Sequence, residues 1–273
     1  MPTAQQLLPG TFEPASLVTL DPLLYQAALA LGVAPVGTST FETAGGGGGP
    51  LPAYLPEDVI ADAELFGTIL APNLEAIAAA DPELVLGIAQ FAPSVSTELV
   101  GPEVALFDGA FSDWRGALAF VGEQLGRADV AAELVEQIDG RLASLADGDE
   151  RTGSIVRFTG PDILTINETA IGGEKLVQAG FTIPDDLASL SPQLTLSLEQ
   201  IELFDTDVIV VVQQDENDTV SGPDRFEEWS ASPLWEGLPA VQNDDVAFVG
   251  PCWATPTAWC AAVVTDDIEE IAR

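Results

Sequence analysis

Two stretches of this chain carry the same order of apolar and acidic positions. Asn73-Leu74-Glu75-Ala76-Ile77-Ala78-Ala79-Ala80-Asp81-Pro82-Glu83-Leu84-Val85-Leu86 and Ser197-Leu198-Glu199-Gln200-Ile201-Glu202-Leu203-Phe204-Asp205-Thr206-Asp207-Val208-Ile209-Val210 align without a gap, 124 residues apart. Leu, Glu, Ile and Asp recur in register, followed by an acidic residue and an aliphatic run. Each copy predicts a capped helix that leads into a buried strand. A unit repeated at that distance predicts two similar lobes, and two lobes predict a cleft.

The remaining elements follow from the same periodicities. Residues 1–13 read as an extended tail. Ser16 to Leu20 is a buried strand, and a turn at Asp21-Pro22 starts a helix of residues 23–31 that stops at Gly32. Val33 to Gly37 and Val104 to Phe107 are further strands, and Ser112 caps a helix ending near Gly126. Val130, Leu134, Ile138, Leu142 and Leu145 form one stripe on an amphipathic helix over 129–147. After Gly148 the pattern restarts, with Ser154 to Phe158 echoing Ser16 to Leu20. Val246 to Val249 is the last strand, and Pro256 to Ile271 is largely helical. Short aliphatic strands alternating with helices predict an α/β class with mostly parallel sheets. The expected organisation is two Rossmann-like lobes, 14–126 and 150–273, joined by one long helix over 127–149, with a ligand cleft between the lobes.

Composition narrows the chemistry. Of 273 residues, 47% are hydrophobic, so a sizeable core is available despite the charge. Acidic residues outnumber basic ones 44 to 8, for a net charge of −36. Such a surface repels nucleic acid and anionic lipid, so neither is expected as a partner. The charge reads as adaptation to a saline habitat or as solubility, with attraction of a cationic ligand as the functional alternative. The chain has no histidine, which removes Ser-His-Asp and Cys-His catalysis and histidine-rich metal cages. The run Gly45 to Gly49 lacks the following Lys and Ser/Thr of a phosphate cradle and reads as a linker. Cys252 and Cys260 are the only cysteines; a short-loop disulfide or two buried thiols both fit, and a disulfide would indicate an oxidising compartment. No membrane-spanning run and no signal peptide is visible, so export would require that the leader be absent from this sequence.

Several motifs in a fixed order carry a resemblance. They are Val18-Thr19-Leu20-Asp21, the turn Ala30 to Gly37, Pro72-Asn73-Leu74-Glu75, Leu125-Gly126-Arg127, Ser197-Leu198-Glu199 and Pro233 to Val241. Over about residues 14–271 the chain resembles the iron-siderophore and cobalamin substrate-binding proteins of ABC importers. The resemblance implies an extracytoplasmic monomer, periplasmic or lipid-anchored, that holds a preformed metal chelate and delivers it to a membrane permease. It implies no catalysis, no intrinsic cofactor and no protein ligand to the metal. It also implies that Glu75 and Glu199 dock onto arginines of the permease, although each also fits as a carboxylate at a helix N-terminus.

Ligands of open α/β sheets collect beyond the carboxyl ends of the strands. That rule nominates Asp21 with Tyr25, Phe41, Thr68 with Ile69, and Gln90 with Phe91 in the amino-terminal lobe. In the other lobe it nominates Arg157, Asn167, Gln214, Trp229 and Trp253. Gln90 and Gln214 occupy equivalent positions of the repeat. Arg157 is one of seven arginines and lies within an apolar strand, where it needs a carboxylate, a ligand oxygen or a ring face. Trp253 and Trp229 offer ring walls for a planar or apolar ligand, whereas Trp235 reads as packing. Where siderophore binders of the resembled family often carry a second arginine, Gly67-Thr68-Ile69 offers an aliphatic side chain. This favours a neutral or cationic ferric chelate of the hydroxamate type over a tris-catecholate. A corrinoid on the same scaffold is the nearest alternative, and an α/β enzyme using paired carboxylates is a more distant one.

Overall fold

The helix that begins at Asp21 has no polar face. In the structure, a computed structural model that describes residues 3–42, 49–92, 94–146, 151–159, 162–165, 170–190, 196–213, 226–227 and 229–273, helix α1 (Pro22–Ala30) is buried along its whole length. Asp21 caps it by accepting from the Leu24 N–H at 2.9 Å, and Pro22 supplies the fixed φ of the first turn. Gly32, at φ +78°, turns the chain out of the helix. A helix that is apolar all round must be covered on every side, and α1 packs against strand β2 and helix α5, given below.

The first sheet contains β1 (Glu13–Thr19), β2 (Val33–Thr40), β3 (Glu64–Thr68), β4 (Ala71–Pro72), β5 (Leu84–Ile88) and β6 (Glu103–Phe107). Their order is β4-β3-β2-β1-β5-β6. All neighbours are parallel except β3 and β4. Helices α2 (Glu57–Asp62), α3 (Leu74–Ala79), α4 (Val95–Glu98) and α5 (Trp114–Gln124) connect or follow these strands. The chain leaves β1 toward β2 on one side and returns to β5 on the other. The topological switch point therefore lies between β1 and β5. At Gly37 a Cβ would run into the Glu64 carbonyl, so only glycine allows β2 and β3 to approach as they do. Val18, Leu20, Phe66, Ile77 and Val85 are central to the core on this sheet.

Helix α6 (Ala128–Ala143) follows. Leu134, Ile138 and Leu142 of the expected stripe are buried, while Val130 is 49% exposed. The helix ends at Ala143, earlier than its periodicity indicates, and its 16 residues rise about 24 Å.

The second sheet contains β7 (Gly153–Thr159), β8 (Asp162–Thr165), β9 (Val208–Val212) and β10 (Val246–Val249) in the order β10-β9-β7-β8. Only the β7–β8 pair is antiparallel. The Val-Ile-Val-Val-Val run of β9 is buried throughout, as expected of an interior strand with both faces covered. Helices α7 (Ile171–Gln178) and α8 (Asp185–Ala188) lie between β8 and β9 in the chain. Phe204, Trp229, Trp235, Ile201 and Val211 belong to this sheet's own core.

The chain divides into two compact units, Met1–Glu136 with Thr257–Trp259, and Gln137–Pro256 with Cys260–Arg273. The class is thus α/β with two mostly parallel sheets, each with its own core. Residues 5–7 form a 3-10 turn and Ala4 is fully buried, so this segment packs where the sequence predicts a tail. The second copy of the repeat, Leu198–Phe204, is a 3-10 helix where the first is α-helical. Among the described residues no helix is long and apolar enough to cross a membrane.

Candidate functional site

Asp21 follows β1 directly and faces the interior. Its Oδ1 caps α1, whereas Oδ2 is buried without a hydrogen-bond partner among the described residues. Burial raises its pKa to about 7, against the lowering effect of the Leu24 and Leu23 N–H groups. Tyr25, one turn further on, is buried, and its hydroxyl is likewise unpartnered among the described residues. Burial pushes this phenol above its ordinary range. The neighbouring polar groups are satisfied: Thr19 Oγ1 donates to Thr38 Oγ1 at 2.8 Å, and Thr38 Oγ1 donates to the Asp21 carbonyl at 3.1 Å. Gln26 is also buried and keeps both ends of its amide paired, as a buried amide must. It donates to Tyr54 OH at 3.1 Å and accepts from Thr257 Oγ1 at 2.7 Å.

The other strand ends of the first unit differ in character. Phe41 follows β2 and is 48% exposed. Gln90 is exposed and Phe91 half-buried after β5. Thr68 and Ile69 are buried at the β3–β4 turn. There the Ile69 N–H donates to the Thr40 carbonyl at 2.9 Å, and Thr68 Oγ1 accepts from the Ala71 N–H at 3.2 Å. Phe111, which the strand-end pattern does not nominate, lies in the loop between β6 and α5. Its ring meets Phe41 edge-on with centroids 5.7 Å apart and Phe91 with centroids 6.0 Å apart. The same rule, extended along the loop after β6, reaches it. The structure thus brings Phe41 and Phe91 together through a third ring.

In the second unit Arg157 is a half-buried residue of β7, opposite Leu164 of β8 and Val212 of β9. Trp229 lies in the core rather than at a surface, 5.5 Å from Phe204 and 6.2 Å from Trp235 between ring centroids. Trp253 is also fully buried: its Nε1–H donates to Asp267 Oδ2 at 2.8 Å, and its ring lies flush on Gly172. Neither indole is placed as an exposed wall. Asn167 and Gln214 lie outside the described residues. Cys252 and Cys260 form a disulfide with their Cα atoms 4.7 Å apart.

Most of the few cations are engaged in ties within one unit. Arg127 pairs with Glu13 and donates to the Leu31 carbonyl. Arg141 pairs with Glu269 at 2.7 Å and approaches Asp266 at 3.8 Å. Lys175, fully buried, pairs with Asp139 at 3.3 Å. Arg151 lies over the Phe181 ring and Arg115 over the Trp114 ring. Arg157 is the described cation that a strand carries. Among the described residues no group of three or more His, Cys, Asp or Glu side chains could hold a metal ion. Glu75 is exposed in the first turn of α3. Glu199 falls in the 3-10 helix Leu198–Phe204.

A probable siderophore-binding lipoprotein, YfiY of Bacillus subtilis (strain 168), is 27% identical over 270 residues, covering 94% of this chain and 82% of that one. The crystal structure of Staphylococcus aureus SirA complexed with staphyloferrin B is 26% identical, with a TM-score of 0.74 over 93% of this chain and 91% of that one. The iron-uptake system-binding protein FeuA from Bacillus subtilis shares the fold, with a TM-score of 0.77 at 20% identity and 94% of each chain covered. The periplasmic binding protein family matches residues 17–251. The chain therefore belongs to the periplasmic binding protein family.

Proposed function

We propose that this protein captures a ferric siderophore outside the cytoplasm and delivers it to the permease of an ABC importer. The observation that carries the reading is the likeness to a siderophore-binding lipoprotein along 94% of the chain, on sheets whose strand ends bear contact groups suited to a preformed complex. The siderophore already saturates its iron, so the protein's task is to hold the complex's outer surface. Arg157 is assigned to chelate oxygens, Phe41, Phe91 and Gln90 to the chelate's periphery, and Glu75 with Glu199 to the permease. The functions named for the relatives favour an iron chelate over a corrinoid.

The test is native mass spectrometry and visible absorption of the purified protein after incubation with ferric trihydroxamate, ferric tris-catecholate, ferric citrate and cobalamin. Retention of a ferric chelate in one-to-one ratio is the expected result. Retention of cobalamin with every ferric chelate rejected would overturn it.

A further inference from the structure

We propose that Phe111, with Phe41 and Phe91, forms an aromatic platform across the switch point of the first sheet that selects a ferric trihydroxamate. This rests on the siderophore reading above and names the chelate class within it. In the order β2-β1-β5-β6, Phe41 leaves β2, Phe91 leaves β5 and Phe111 leaves β6. Phe111 is in edge contact with both of the other rings. To touch Phe41, the loop after β6 must reach past the carboxyl ends of β5 and β1. The mouth of the switch point, where open α/β sheets take their ligands, therefore presents carbon.

The cluster is partly exposed, Phe41 the most and Phe91 and Phe111 half-buried, which suits it to an occupant, and the charges around it define which. Among the described residues, no Lys or Arg lies between Thr19 and Trp114. The carboxylates that adjoin the rings in sequence, Glu42, Asp108 and Asp113, are all exposed, Asp113 also capping α5. Arg115, the first cation after Phe111, lies with its guanidinium 4.4 Å from the Trp114 ring centroid. Aromatic faces carry negative quadrupole charge. A trianionic tris-catecholate would meet these faces and three carboxylates with no compensating cation from the described residues of β1 to β6, leaving Arg157 as its one assigned counter-charge. A ferric trihydroxamate has each hydroxamate charge cancelled by the ferric ion, and its methylene spacers can cover the rings and remove them from water.

The experiment is calorimetric titration of the full chain with the ferric trihydroxamate of desferrioxamine and, separately, with a ferric tris-catecholate. The trihydroxamate should bind at least about tenfold more tightly. Phe111→Ala should weaken it by a further factor of about ten, with Phe111→Leu intermediate. Phe41→Ala, at a position 48% exposed and so expected to cost little stability, should weaken it several-fold and serves where Phe111→Ala melts early. Equal or tighter binding of the tris-catecholate overturns the inference while leaving the carrier reading intact. So does an unchanged trihydroxamate affinity in both alanine variants. Failure to bind any ferric chelate would overturn both.

Discussion

Trp253 donates its indole N–H to Asp267 Oδ2 across 2.8 Å, tying the 3-10 turn Pro251–Ala254 to the terminal helix Ala258–Ile271. The carboxylate is half-buried, and that burial raises its pKa against the lowering effect of the indole; Glu270 and Asp266 push it up further. Trp253→Phe keeps most of the packing but removes the donor from a half-buried carboxylate. We expect a loss of about 1–3 kcal/mol in stability, read by denaturant titration. Chelate affinity should barely change, because the ring is fully covered. A large fall in affinity without a fall in stability would return Trp253 to the binding surface.

Asp21 gives the protein a pH dependence of the opposite sign to that of ordinary paired carboxylates. Its pKa is raised from 3.8 to about 7 by burial, so the folded state holds a proton that the unfolded state has released. The stabilising effect is complete below about pH 4 and is lost as pH rises through about 7. At roughly 1.4 kcal/mol per pKa unit the loss is on the order of 4 kcal/mol. Asp21→Asn retains a capping oxygen without the charge. Its melting temperature should exceed the wild type's at pH 8 and match it near pH 4. If the variant instead melts lower at pH 8, the buried carboxylate is not the source.

These two residues also show where sequence reasoning stops. The turn at Asp21-Pro22, the glycine stop at Gly32 and the strand over 83–88 are local signals, written in a few adjacent side chains; the structure has the glycine stop and a strand at Leu84–Ile88, and it makes Asp21 of the turn the cap of α1. Strand β3 carries no clean alternation of apolar and polar residues, so its extent is not legible from pattern. Its parallel pairing with β2 is possible because Gly37 has no Cβ to strike the Glu64 carbonyl, a condition set across the sheet. The 3-10 form of Leu198–Phe204 likewise escapes a pattern shared with an α-helical copy. In the candidate site, position after a strand was legible, but direction was not. Thr68 ends β3, Ile69 follows it and Tyr25 lies in the first turn of α1, and all three are buried, while Phe111 acquires its neighbours only when the loop after β6 folds back.

The disulfide is the next test. Cys252 and Cys260 are eight residues apart in sequence, and closing so short a loop restrains the unfolded chain by about 2–3 kcal/mol. The double variant Cys252→Ser with Cys260→Ser should melt a few degrees lower. Reduction of the wild type by dithiothreitol should lower its melting temperature by a similar amount and leave the double variant unaffected. Equal melting with and without reductant would show that the bond contributes nothing.

Glu75 tests docking apart from capture. It is exposed, and Asn73 rather than Glu75 caps α3, by accepting from the Ala76 N–H at 3.1 Å. Glu75→Arg should therefore leave chelate affinity and melting temperature nearly unchanged, at a loss within about 1 kcal/mol from the helix dipole. Uptake of radioactive iron by cells that depend on this protein should fall about tenfold, as expected when one charge of an interface pair is reversed. Combining it with Glu199→Arg should reduce uptake further. Full uptake by the double variant would remove both glutamates from the proposed docking surface.

The acidity itself makes the last prediction. A net charge of −36 is spread over a surface whose described cations are mostly held in ion pairs or over rings, so carboxylates face carboxylates across much of it. Self-repulsion of this kind destabilises the compact state and is weakened by salt. The screening length falls from about 10 Å at 0.1 M to about 3 Å at 1 M ionic strength. The melting temperature should rise by several degrees over that interval, with sodium and potassium chloride equivalent, because screening depends on ionic strength rather than on ion identity. The gain should persist in the Asp21→Asn variant, whose charge change is buried. A melting temperature that stays flat or falls with salt would mean that the carboxylates lie too far apart to repel, and that the acidity serves solubility alone.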